Sequence, residues 1–304
     1  MRYRYSILLA LLPAVAAPAQ TPVTPRYTPP DYAAAQVTAP PAPLKLDPFY
    51  TRYVDAGGIP VASSAKVPPV ALLYARDIML DMLLDRPDLR HWMIAKGYRV
   101  ALMAPDEGTM DLPEQRGWKK PTPDDPTLTV CERKHYAERI GTLTDAQYWN
   151  GRARGMGGQL TSGATENLLA IPGTRYFGEN IFVHEFSHAI LDAVQQVDPL
   201  LYARVEAAYA AALVAGRWKG EYAATTIQEY WAEGTQFWFN SNKVARFDTV
   251  VVLSDTDLVG YDPALAHVLR AVYGERHRLP TDVFYRHPAR VPPGGPPRFS
   301  AEVC

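Results

Sequence analysis

Cysteine is scarce: Cys131 and Cys304 are the two among 304 residues. That excludes a scaffold in which cross-links stand in for a core. A surplus of positive charge is missing as well. Thirty-one lysines and arginines face 32 acids, for a net charge of −1. Such a balance offers nothing to hold a phosphate backbone, so no nucleic-acid partner is expected. Past the N-terminus there is no apolar run long enough to span a bilayer. Nor is the chain poor in hydrophobic residues. At 47% hydrophobic and 21% charged it has the composition of a folded protein, and its length suits one large domain or two modest ones sharing a cleft.

The first residues read as an address. Arg2 and Arg4 precede an apolar stretch over 7–16, and small residues follow at Ala17 and Ala19. Charge, then a short apolar run, then small residues is the order of a secretory signal peptide, here residues 1–19. No cysteine follows it to carry a lipid. The mature chain is therefore expected to be secreted or periplasmic, with no membrane anchor and a charge of −3 (29 minus 32). In an oxidising compartment Cys131 and Cys304 either form a bridge, which would staple the tail to the body, or remain two thiols.

The rest divides by composition. Residues 20–47 form a Pro- and Ala-rich leader without a core of its own. Residues 48–150 read as a small α/β subdomain, with a turn at Gly57-Gly58, helices over 67–84 and 88–96, a strand over 98–103 and a polar loop over 105–130. A helix over 144–154, with Thr144 as its cap, leads into a catalytic subdomain spanning 151–304. There Gly155, Gly157 and Gly158 make a flexible segment, and 166–171 reads as a strand forming the rim of a cleft. Long helices follow over about 177–195, 197–215 and 224–240, then one over 262–273 and a Pro-rich tail. The expected fold class is α+β, with a mainly helical C-terminal part.

The chemistry gathers in the run from Ile181 to Asp192, IFVHEFSHAILD, which contains HExxH. His184 and His188 lie four residues apart on a helix and so stack on one face, where two imidazoles grip one Zn2+. Glu185 is adjacent, placed to take the proton of an attacking water without being a ligand. Catalytic zinc wants a third protein ligand, and the HExxHxxGxxH extension is absent, since Leu191 and Val194 stand at its Gly and His positions. Glu229 and Glu233 are four apart on a helix that is otherwise apolar and aromatic. Such carboxylates either face solvent or serve a metal. The neighbours Tyr230, Trp231, Phe237 and Trp238 favour a buried helix, with Glu229 as third ligand and Glu233 orienting His184. Asp192, one turn past His188, is a further supporting acid or a plain polar residue. His267, His277 and His287 share no ligand spacing, and Asp106, Glu107, Asp111 and Glu114 read as a solvated acidic loop.

HEFSHAILD followed by a helix bearing ExxxE resembles the gluzincins, zinc peptidases of the zincin fold. The stretch over 222–233, YAATTIQEYWAE, resembles the anthrax-lethal-factor-like group, which also carries a Tyr seven residues before the ligand Glu. The match covers residues 184–192 and 222–233, with Tyr230 and Trp231 where that group has two Phe. The resemblance implies a zincin-like catalytic domain and a zinc-dependent endopeptidase acting on peptide or protein substrates. It also implies that Tyr222 stabilises the oxyanion. A zinc hydrolase of a non-peptide bond in an extracellular polymer, or a retired zinc-binding scaffold, would carry the same constellation. An intact Glu185 argues against the latter.

Overall fold

The computed structural model describes residues 37–126, 128–247 and 250–294. The expected signal peptide, most of the leader, the end of the Pro-rich tail and Cys304 lie outside the described residues.

A hairpin opens the sheet. Strands β1 (Arg52–Ala56) and β2 (Ile59–Ser63) pair antiparallel across Gly57 and Gly58. Both glycines have positive φ, 64° and 97°, which a two-residue hairpin turn needs and a side chain resists. Helices α1 (Pro69–Met82) and α2 (Pro87–Ala95) follow, each with proline in its first turn, where no amide partner is lost. Strand β3 (Arg99–Met103) then joins β2 in parallel. Two short helices come next. Helix α3 (Val130–Lys134) carries Cys131, and α4 (Asp145–Arg152) is capped by Thr144 in a capping box with Gln147. Cys131 is disulfide-bonded.

Strand β4 (Leu160–Ala164) pairs in parallel with β3 and completes the order β1-β2-β3-β4. On its other side Met156 makes an antiparallel bridge to Ser162. Residues 166–171 are not a strand. Helix α5 (Thr165–Leu168) starts immediately after β4 and is buried, whereas the apolar residues that follow it form a turn in which Leu169 and Ala170 are half-buried and Ile171 is exposed. Asn167 is buried, and its amide holds the start of the next helix, donating to Glu179 O at 2.8 Å and accepting from Ile181 N at 2.8 Å.

That next helix is α6 (Ile181–Val197), which bears HExxH. It packs on α7 (Pro199–Val214) and α8 (Ile227–Trp238). Strands β5 (Ala245–Phe247) and β6 (Val250–Val252) form a separate small hairpin before α9 (Asp255–Tyr261) and α10 (Pro263–Tyr273). One hydrophobic core runs from Val54 and Leu72 through Phe182 and Phe186 to Trp231, Trp238 and Leu269. Each large side chain buried in it contributes roughly 1.5–3 kcal/mol. The segments on either side of residue 150 thus share both a sheet and a core. The fold is α+β, with its helices concentrated in the C-terminal half.

Candidate metal centre

Helices α6 and α8 face each other, and the contact is fixed by polar bonds inside the core. Trp231 Nε1 donates across the contact to Ser187 O at 3.1 Å, and within α6 Ser187 Oγ donates to His184 O at 2.7 Å. Tyr230, on the far side of α8, sends its hydroxyl to Asp262 at 2.8 Å. The two positions that depart from Phe therefore each have a polar end with a partner, as buried Tyr and Trp require. Asn180 caps α6 by accepting from Val183 N at 3.2 Å, and Thr226 caps α8 by accepting from Glu229 N at 3.1 Å.

Between the helices His184, His188 and Glu229 present one ligand atom each, all within 4.8 Å of one another. Glu229 Oε2 is 2.9 Å from His184 Nε2 and 3.8 Å from His188 Nε2. Ligands at zinc distances on a tetrahedron sit about 3.3 Å apart, and these two separations straddle that value. Two imidazoles and a carboxylate are also the donor types zinc takes at a catalytic site. The residues fit the ion.

The charges of the centre are coupled. Burial alone would push His184 down, but its hydrogen bond to Glu229 and the nearby Glu185 and Glu233 raise it to about 10. Burial would raise Glu229, yet the bond to His184 holds it below its ordinary value. Burial and the charge of His184 lower His188 to about 4. Glu185 is half-buried and raised to about 7, mainly by desolvation, while the backbone N–H of Gly157 donates to it. That is the range in which a carboxylate both accepts and returns a proton near neutrality.

The hydrogen-bond partner of His184 Nδ1 is Gln236 rather than Glu233. Glu233 Oε1 is 3.7 Å from Nδ1, while Gln236 Oε1 is 3.0 Å away. The Gln236 amide donates to Asn180 O at 2.9 Å, which turns its carbonyl end toward the imidazole. Glu233 instead accepts from Asn242 at 2.6 Å. Sequence reasoning missed Gln236, although positions 229, 233 and 236 share one helix face. Asp192 lies 3.4 Å from the Tyr98 hydroxyl, and among the described residues no hydrogen bond joins it to His188. Tyr222 sits in the turn before α8, its ring centre 6.5 Å from that of His184 and its hydroxyl bonded to Glu229. The glycines before β4 lie on the centre itself. A Cβ on Gly157 would come within 2.6 Å of His188, and one on Gly155 within 2.8 Å of Glu185. Among the described residues no helix is long and apolar enough to cross a membrane.

No family model matches the chain, and no curated protein matches it. It is similar to the solved structure of the Pro-Pro endopeptidase PPEP-2 from Paenibacillus alvei, at 17% identity, covering 66% of this chain and 90% of that one, with a TM-score of 0.38. A likeness at that identity and score bears on neither activity nor substrate.

Proposed function

We propose that the chain is a zinc-dependent peptidase of gluzincin type, exported by its first 19 residues, with subdomains 48–150 and 151–304 around one cleft. The observation that supports this most is the convergence of His184, His188 and Glu229 beside a half-buried Glu185 raised to about 7. In this reading His184, His188 and Glu229 hold the ion, which when bound supplies Lewis-acid polarisation of a carbonyl. Glu185 takes the proton of the attacking water and returns it to the leaving amine. The Gly157 N–H keeps the Glu185 carboxylate aimed into the cleft. Tyr222 donates its hydroxyl to the developing oxyanion, after giving up its bond to Glu229. Gln236, the buried neighbour of His184, fixes the tautomer that leaves Nε2 free to bind metal.

The test is peptide cleavage by the wild type and by Glu185→Gln, each loaded with zinc. The expected result is turnover in the wild type, abolished by a chelator and reduced by several orders of magnitude in the variant. Equal turnover in both would remove Glu185 from the chemistry.

A further inference from the structure

Two loops form one wall beside the triad. The first leaves α4 at Arg152 and passes through Gly155 and Gly157, which lie against Glu185 and His188. The second, over 174–179, leads into α6, and Asn167 holds the Tyr176 carbonyl in place at 3.3 Å. Arg175 ties the second loop to the end of α4, from which the first departs. Its Nη1 donates to Gly151 O at 2.7 Å, and its guanidinium lies 5.0 Å from the centre of the Tyr176 ring. Arg152 stands at the same junction, 5.4 Å from the Tyr148 ring and paired with Glu132. Tyr176 is within electrostatic range of Glu185, and both Tyr176 and Tyr222 are within range of Arg152. The wall therefore borders the reacting centre.

Its acids are already engaged. Glu132 pairs with Arg152, Glu166 with Arg154 at 2.6 Å, and Glu179 with Lys243 at 2.8 Å. Arg175 is exposed, and among the described residues no carboxylate lies within ion-pairing distance of it. The wall thus presents positive charge outward in a chain whose net charge is −1. The guanidinium is also held in advance by a backbone carbonyl and an aromatic face. An anion bound there costs less side-chain entropy than one bound by a free arginine.

We propose that Arg175 forms an anion-accepting subsite, and that the substrate is a peptide carrying a carboxylate within a few residues of the scissile bond. The proposal rests on the peptidase reading above. The carboxylate could belong to an Asp or Glu side chain or to a free C-terminus.

A mixed library of blocked octapeptides, made once with free and once with amidated C-termini, is digested by the zinc-loaded enzyme and the cut positions are read by mass spectrometry. Asp and Glu enriched about three- to tenfold over Asn and Gln at one position near the cut, the size of a partly exposed charge contact, is the expected result. Preference for free over amidated termini would instead assign the site to a terminal carboxylate. Either preference should fall toward one in Arg175→Gln and persist in Arg204→Gln, an exposed change on α7. A profile indifferent to negative charge overturns the subsite and leaves the peptidase reading standing. If no peptide is cut, the peptidase reading fails, and the subsite is decided by binding. Fluorescence titration of Glu185→Gln with Glu-containing and Gln-containing versions of one blocked octapeptide mixture then supports it if the former binds more tightly, and overturns it if the two bind alike.

Discussion

Gln236 Oε1 lies 3.0 Å from His184 Nδ1, and its amide nitrogen lies 2.9 Å from Asn180 O. The side chain is thus clamped between the imidazole and the cap of the helix that bears it. Substituting a residue that holds a metal-binding imidazole typically weakens metal affinity 10- to 100-fold. Gln236→Ala is expected to lose about that much zinc affinity, read by competition with a fluorescent chelator. Glu233→Gln, whose carboxylate is engaged by Asn242, should change affinity less. The reverse order would return the orienting role to Glu233.

Gly157 leaves no room for a side chain, since a Cβ there meets His188 at 2.6 Å. Gly157→Ala should destabilise the fold by roughly 1–3 kcal/mol, as overpacking does, and should weaken zinc binding by displacing a ligand. Thermal melts with and without zinc separate the two effects. A variant with wild-type stability and affinity would show that the 155–157 segment moves aside freely.

Tyr222→Phe keeps the ring and removes the hydroxyl. If that hydroxyl serves the oxyanion, kcat falls about 10²–10³-fold with KM and zinc content nearly unchanged. A kcat within a few-fold of wild type would remove Tyr222 from the mechanism. It would also leave the Tyr-to-Glu spacing, the most distinctive element of the lethal-factor-like resemblance, without a function here.

How far the sequence could be read follows from how local each feature is. HExxH is a one-turn pattern, and α6 forms around it because Phe182, Phe186 and Ile190 bury one face. Glu229 was legible for the same reason. Strand β4 was not, because its residues LTSGA are weak strand formers and pairing with β3 decides the matter. The neighbouring ENLLAI looked more like a strand by composition, and a short apolar run does not separate strand from buried helix. The β1–β2 hairpin surrounds a glycine pair whose turn was recognised while its strands were not. The Arg175 wall joins segments far apart in the chain with no motif between them.

Asp282 gives a pH dependence whose sign is fixed. It is buried against α6 and accepts from Asn180 at 2.8 Å. Desolvation pushes it up to about 6 from an ordinary 3.8, against the pull of its hydrogen bonds. Between those values the folded carboxyl keeps a proton that the unfolded chain has released, so stability falls as pH rises through that window and is level above it. The depth is on the order of 2–3 kcal/mol. Measured by thermal melts from pH 4 to 7 in metal-free protein, Asp282→Asn should make this slope shallower, leaving the share of Asp81, Glu185 and Glu233, which burial raises into the same range. An unchanged slope would place its source elsewhere.

The central claim is that His184, His188 and Glu229 bind one zinc ion, and titration of metal-free mature protein with zinc by calorimetry tests it most directly. The account predicts saturation at one ion per chain, retained in Glu185→Gln and greatly weakened in Glu229→Ala. Failure of the wild type to bind zinc, or Glu229→Ala binding as tightly as wild type, would contradict it.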